Sequence, residues 1–193
     1  MALLTLVFSK FPPDGAVSRC EDHNQYRTEQ GLVVYDSASQ GIDGVPDPYQ
    51  RFEDFPCLSK AQLDSFQSAG FTAPTPIQAQ TWPIAMTDRD VISIAKTGSG
   101  KTLAFLLPAY KKMDAGRGPG GRVTVLVLAP TRELATQIQE EADKWGRAAG
   151  HLSACAYGGA PKREQLRAME RATVLVATPG RLNDFLDSRQ VDL

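Results

Sequence analysis

Val91-Ile92-Ser93-Ile94-Ala95-Lys96-Thr97-Gly98-Ser99-Gly100-Lys101-Thr102 decides the fold of this 193-residue chain. Val91–Ala95 is a short apolar, β-branched run, which predicts a strand. A glycine-rich turn follows, and the pattern from Lys101 onward predicts a helix. Strand, glycine turn and helix together are the setting a phosphate-binding loop needs. Gly98 and Gly100 let the backbone curl around phosphate oxygens and aim successive N–H groups at them. The helix N-terminus adds partial positive charge. Lys101 has the reach for β- and γ-phosphates, and the Thr102 hydroxyl suits Mg²⁺. Ala95 stands where the general pattern GxxxxGK[ST] has glycine. The alternative is a plain glycine turn with a solvated lysine, which the Gly-Lys-Thr ending in this setting disfavours.

Downstream, the same alternation repeats. Val123–Leu128 (VTVLVL), Leu152–Tyr157 and Val174–Ala177 (VLVA) are predicted strands. Helices are predicted over Arg132–Arg147, around Lys162–Glu170, and from Pro179 to about Asp187. Strands alternating with helices predict an α/β fold with a mostly parallel sheet. Near-continuous Val and Leu runs suit strands covered on both faces. Three strand-to-helix junctions are then expected at the sheet edge that carries the glycine loop, where open α/β sheets bind ligands. They are Pro130-Thr131-Arg132, Gly158-Gly159 and Thr178-Pro179-Gly180-Arg181. Two of them pair a threonine with an arginine in the first helical turn, a set suited to phosphate oxygens. From spacing alone, ordinary capping by Thr131 and Thr178 is the stronger reading, with both arginines on a wet surface.

Upstream, Ser59-Lys60-Ala61-Gln62 has capping-box form and Gly70 a helix-stop position, so Lys60–Ala69 is a predicted helix with Leu63 and Phe66 inward. Thr75-Pro76-Ile77-Gln78 repeats the logic, and Pro83 is expected to end or kink that helix near Thr81. Gln78 is placed either to complete the capping box or to pair with a donor and an acceptor on adenine. Phe52 and Phe55 are placed to stack on a base or to pack, and packing is the commoner fate of an aromatic. Residues 1–50 show no persistent period and are punctuated by Pro12-Pro13, Gly15, Gly41, Gly44, Pro46 and Pro48. No internal repeat is visible.

Composition is that of an ordinary globular protein, 42% apolar and 22% charged, which excludes collagen-like and wholly disordered classes. The net charge is −1, but residues 1–70 carry 5 Lys+Arg against 10 Asp+Glu, whereas residues 71–193 carry 16 against 12. A polyanionic partner therefore belongs to the later part. Cys20, Cys57 and Cys155 form no CxxC pair, so no zinc knuckle or disulfide framework is expected. No apolar window is long enough for a transmembrane helix, and no membrane partner is expected. An intracellular location, nucleus or cytoplasm, is the expectation.

Taken together, these motifs resemble the DEAD-box family of ATP-dependent RNA helicases. Gly70-Phe71-Thr72-Ala73-Pro74-Thr75-Pro76-Ile77-Gln78 resembles the family's adenine-reading Q motif, with Phe52 as its upstream aromatic, one residue further away than the usual spacing. Ala95-Lys96-Thr97-Gly98-Ser99-Gly100-Lys101-Thr102 resembles motif I in the family's own form, where alanine at the first position is usual. Pro130–Ala135 (PTRELA) resembles motif Ia, Gly158-Gly159 the GG motif, and Thr178–Arg181 (TPGR) motif Ib. The resemblance implies a RecA-like, doubly wound P-loop NTPase domain. It implies ATP and Mg²⁺ as cofactors. Phe52, Phe71, Thr75 and Gln78 would join the glycine loop in binding nucleotide, with Lys101 and Thr102 catalytic and Thr102 on the metal. It also implies single-stranded RNA as partner, held by its backbone at Pro130, Thr131, Arg132, Gly158, Gly159, Thr178, Pro179, Gly180 and Arg181.

The expected organisation is an irregular extension over residues 1–51, a Q-motif region over 52–80, and a partial helicase ATP-binding domain over 81–193, truncated at its C-terminal side. No Asp-Glu-Ala-Asp occurs in the chain, so the resemblance implies that the Mg²⁺-binding aspartate, the water-activating glutamate and the arginine finger lie outside it. The expected parent activity is ATP-driven unwinding of short RNA duplexes, with this chain binding rather than hydrolysing by itself. Two rivals stand beside it. A non-helicase P-loop enzyme would share motif I without the PTRELA and TPGR motifs, and a non-catalytic nucleotide- or RNA-binding chain would bind without turnover.

Overall fold

The computed structural model describes residues 2–6, 23–36, 41–56, 58, 60–87, 89–115 and 123–191. Ser59 of the first capping box, Cys20, Cys57 and the glycine-rich residues 116–121 lie outside the described residues. The chain divides at Pro108/Ala109 into two compact units, and the boundary falls inside one helix.

The first unit holds strand β1 (Ala2–Leu6), helix α1 (His23–Glu29), a 3-10 turn at Phe52–Asp54, helices α2 (Lys60–Ser68) and α3 (Pro76–Ala85), strand β2 (Val91–Ala95) and the start of α4 (Lys101–Ala115). Here the sequence expectations need two corrections. Residues 1–51 are not without regular elements. β1 pairs antiparallel with β2, Leu4 opposite Ser93, and α1 is a single short helix. Second, α3 runs through Pro83 to Ala85 instead of ending near Thr81. Proline at position 83 cannot donate to the Ala79 carbonyl four residues back. That carbonyl is taken instead by the backbone N–H of Tyr49, at 2.9 Å, so the helix loses no partner by continuing. Burial supplies the drive, because Trp82 and Ala85 are fully enclosed.

Aromatics build the core of this unit. Phe52 lies nearly parallel to Phe66, centroids 4.8 Å apart, and Phe55 meets Trp82 edge-on at 5.3 Å. Trp82 Nε1 donates to Leu103 O at 3.1 Å and Thr81 Oγ1 bonds Ser93 Oγ at 2.8 Å, tying α3 to α4 and β2.

The second unit is a three-stranded parallel sheet in the order β3 (Val125–Leu128), β5 (Val174–Ala177), β4 (Ser153–Ala156). Helices α5 (Arg132–Gly146), α6 (Lys162–Met169) and α7 (Pro179–Asp187) alternate with the strands. The central strand β5 is buried throughout. The expectation of strands covered on both faces holds for β5 but not for the edge strand β3, where Leu126 and Leu128 are exposed. Leu175, Leu182, Phe185, Met169 and the small residues Ala154, Ala156, Ala172 and Ala177 form one apolar cluster. Alanines on the strands let α6 and α7 approach the sheet closely.

Candidate nucleotide site and nucleic-acid interface

The glycine loop leaves β2 at Ala95 and enters α4 at Lys101. Gly98 and Gly100 adopt φ of +74° and +85°, the left-handed region that other residues enter at a cost. Lys101 Nζ donates to Ala95 O at 2.7 Å and to Lys96 O at 2.6 Å. The loop thus folds back over its own lysine. An ammonium has three donors, and two are spent holding the loop. Lys96, Thr97 and Gly98 are exposed, and Ser99, Gly100, Lys101 and Thr102 are half-buried. The free N–H groups of the first turn of α4 open towards the same loop.

α3 braces this loop from behind. The Thr75 N–H donates to Gln78 Oε1 at 3.0 Å, which is the capping bond the sequence predicts. The other end of the same amide donates to Gly100 O at 3.1 Å, and Thr75 Oγ1 donates to Ser99 O at 2.9 Å. Gly100 O also accepts the first helical bond of α4, from the Ala104 N–H. A Cβ at position 100 would lie 2.5 Å from Gln78 Nε2, so a larger residue there would displace the Gln78 amide, besides straining a left-handed φ. Gln78 is 5% exposed, with its oxygen and its nitrogen both engaged. It therefore performs the capping role and, in addition, anchors motif I.

The two aromatics differ. Phe52, expected at the nucleotide, is buried at 6% exposure among Phe66 and Trp82. Its ring is packed into the core because α2 and α3 present aromatic faces on either side. Phe71 is the exposed one and meets Phe66 edge-on at 6.4 Å.

In the second unit, Leu128, Ala177 and Ala156 sit side by side at the strand ends. The next peptides continue the ladder, Ala129 N donating to Ala177 O and Thr178 N to Ala156 O. All three predicted junctions therefore leave the same edge of this sheet, but the expected sharing of that edge with the glycine loop is not made by strand pairing, because β2 pairs with β1 in a separate two-stranded sheet. Pro130, Thr131, Arg132, Gly158, Gly159, Pro179 and Gly180 are exposed there. Thr131 caps α5, accepting from Leu134 N at 3.3 Å. Thr178 makes no side-chain cap, its hydroxyl lying 3.5 Å from Ala156 O.

The two arginines also part ways. Arg132 is exposed, its guanidinium 5.8 Å from the Tyr157 ring centre and its Nε 3.6 Å from Glu133. Arg181 is enclosed, its side chain only 8% exposed. It donates to Gln165 Oε1 at 2.7 Å and to Ala160 O at 3.1 Å, and lies 3.7 Å from Asp184. Gln165 Nε2 in turn donates to Tyr157 O at 3.0 Å. Arg181 thus ties the TPGR turn to the loop that carries Gly158 and Gly159. Gln165, Tyr157 and Asp184, which complete this network, carry no motif of their own that reading in sequence order would single out. Lys162, three residues after Gly159, is a further exposed cation and is paired with Asp184 at 2.7 Å. Cys155 is interior to the sheet, and burial pushes its thiol up to about 11, so it is no nucleophile at neutral pH.

A glycine loop opening a helix, and a parallel sheet edge that exposes Thr131, Arg132 and three glycines, are features of an α/β protein of the P-loop class. The chain belongs to the DEAD/DEAH box helicase family, whose domain matches residues 75–193. It is 55% identical over 157 residues to DEAD-box ATP-dependent RNA helicase 14 of Arabidopsis thaliana, covering 77% of this chain and 24% of that protein. It is 43% identical over 191 residues to ATP-dependent RNA helicase DBP2 of Pyricularia oryzae, 96% of this chain and 33% of that one. Among solved structures it is similar to the RNA helicase Prp28 from Chaetomium thermophilum bound to ADP, with TM-score 0.79 and 33% identity over 95% of this chain and 44% of that chain. The yeast DEAD-box splicing factor Prp28 is similar at TM-score 0.78 and 31% identity, over 91% of this chain and 42% of that one. The fold is accordingly a RecA-like α/β domain. The chain spans about a quarter to a third of these curated relatives. Among the described residues no helix is long and apolar enough to cross a membrane.

Proposed function

We propose that this chain binds ATP at the glycine loop and the backbone of a single RNA strand along the β3-β5-β4 edge, as part of a protein that unwinds short RNA duplexes by ATP hydrolysis. The observation that carries the nucleotide half is the pair of bonds from Thr75 and Gln78 to the carbonyls of Ser99 and Gly100. They couple a motif for adenine to a loop for phosphate in one hydrogen-bonded unit. For Gln78 to meet a base it must exchange at least one bond that it holds here, and Phe71 is the exposed aromatic beside that motif. ADP in the Prp28 relative supports an adenine nucleotide.

Thr102, in the first turn of α4, would offer its hydroxyl to Mg²⁺. Among the described residues no group of three or more His, Cys, Asp or Glu could hold a metal ion. A single hydroxyl donor suits an ion that keeps most of its waters and is carried on a triphosphate, which is how Mg²⁺ is commonly bound. When bound, that ion neutralises phosphate charge. Lys101 would add one ammonium against the β- and γ-phosphates, and the loop N–H groups would orient them.

The test is binding of a fluorescent ATP analogue to the 193-residue chain and to Lys101→Ala. The substitution removes the cation and the two bonds that shape the loop, and binding should be lost. Unchanged affinity would mean that the loop is a structural turn. For the RNA half, the location expected is the nucleus or cytoplasm, and the partner chemistry is a phosphate backbone met by Arg132, Lys162 and exposed N–H groups.

A further inference from the structure

Polar residues that precede the Q-motif region are attached to α3 by buried hydrogen bonds. Arg27, on α1, is 6% exposed. A guanidinium is costly to bury unless its donors are matched. Its Nε donates to Gln80 Oε1 at 2.8 Å, and its two terminal nitrogens to Asn24 Oδ1 and Pro46 O, each at 3.0 Å. Asp47 lies 4.0 Å from it and 3.0 Å from His23 Nδ1. Gln80, 5% exposed, closes the circuit by donating from Nε2 to Pro46 O at 2.9 Å. Three residues on, the Tyr49 N–H fills the carbonyl of Ala79 that Pro83 leaves open, at 2.9 Å.

Gln78 and Gln80 are two positions apart, which puts them on roughly opposite sides of α3. One side holds Gly100 and the other is held by α1 and the Pro46–Tyr49 stretch. We infer that these two stretches, His23–Glu29 and Pro46–Tyr49, are a positioning strap for the nucleotide site, with Arg27 the positioning residue that acts through α3 on Gln78 and Gly100. The strap's bonds go to α3 and within the strap, not to the loop. They fix the helix from which the loop is braced, so α3 presents Gln78 at one depth. The inference rests on the nucleotide reading of the glycine loop.

Coupling of this kind is reciprocal, which gives a test on the unaltered chain. Amide hydrogen exchange is measured with and without saturating ADP. ADP should slow exchange at Tyr49, whose N–H is bonded to Ala79 of α3, and in the last turn of α1. In parallel, labelled ADP and labelled GDP are titrated against Arg27→Met, Arg27→Lys and Gln78→Ala, below the melting temperature of each. Arg27→Met should weaken ADP roughly fivefold or more and bring the ADP/GDP ratio towards one. Arg27→Lys should restore part of both, and in the Gln78→Ala background Arg27→Met should add little. A strap that only stabilises the fold would lower the melting temperature and leave the ratio alone. Labelled ADP bound with wild-type affinity and ratio by Arg27→Met, or exchange at Tyr49 unmoved by ADP, overturns the inference while leaving the nucleotide site intact. No ADP binding by the unaltered chain overturns both.

Discussion

Gly100 carries three constraints at once. Its φ of +85° is left-handed, its absent Cβ leaves room for Gln78 Nε2, and its carbonyl accepts both that amide and the Ala104 N–H. Gly100→Ala therefore combines backbone strain of about 1–2 kcal/mol with displacement of the Gln78 amide. A melting temperature lower by roughly 2–8 °C follows from the strain alone for a chain of this size. Removing the obstructing side chain should help, so Gly100→Ala with Gln78→Ala should be less unstable than the two single losses added together. Differential scanning fluorimetry on the four variants reads this directly, and strict additivity would mean that the two residues are not in contact. The glycine pattern made the loop legible, since few residue types tolerate that backbone. The partner on the other side was half legible. A capping glutamine was predicted from Thr75-Pro76-Ile77-Gln78, but its bond to Gly100 joins residues 22 apart and has no local signature. Phe52 shows the limit from the opposite direction. An aromatic that suits a base also suits a core, and Phe66 and Trp82 decide in favour of the core.

The strand-to-helix junctions of the second unit separate direct contacts from supports. Arg132 is exposed over Tyr157, whereas Arg181 spends its donors on Ala160 and Gln165. Arg132→Ala should leave the melting temperature unchanged, weaken binding to a single-stranded RNA oligonucleotide, and reduce the salt slope of that binding by about one ion. Arg181→Ala should lower stability by about 1.5–3 kcal/mol, the usual worth of hydrogen bonds to a charged group. It should also weaken RNA binding at all salt concentrations without changing the slope, because the loop, not the charge, is lost. Salt titrations and melts distinguish the two, and an unchanged melt with a shallower slope would make Arg181 a phosphate ligand. The elements themselves were largely readable. VLVL and VLVA at the second-unit strands, and Thr131 before the apolar period of α5, act within a few residues. What escaped was held by distant partners. His23–Glu29 has no apolar period, and its helix is fixed by Arg27 reaching Gln80, 53 residues away. Pro83 reads as a stop only until Tyr49 supplies the missing donor.

At the scale of the whole chain, binding and turnover should come apart. The glycine loop supplies one cation, one hydroxyl and oriented N–H groups, which suffice to hold a triphosphate. In-line attack on the γ-phosphate also needs a positioned water and charge neutralisation on the far side. The sequence contains no Asp-Glu-Ala-Asp, and among the described residues no acidic group of three or more could hold a metal. An arginine finger alone is worth roughly 10³–10⁵ in rate in related NTPases; in the first unit Arg27 is committed to Gln80, and Arg89 to Asp36 and Gly44. The 193-residue chain by itself should therefore release no phosphate above background, with or without single-stranded RNA. Its RNA binding should be weak and fall steeply with salt, since phosphate contacts dominate it. Phosphate release is measured for this chain, for its Lys101→Ala variant and for a longer chain carrying downstream family sequence. Turnover only in the longer chain, stimulated by RNA, is the expected pattern. RNA-stimulated turnover by the 193-residue chain that disappears in Lys101→Ala would place the water-activating group inside this chain.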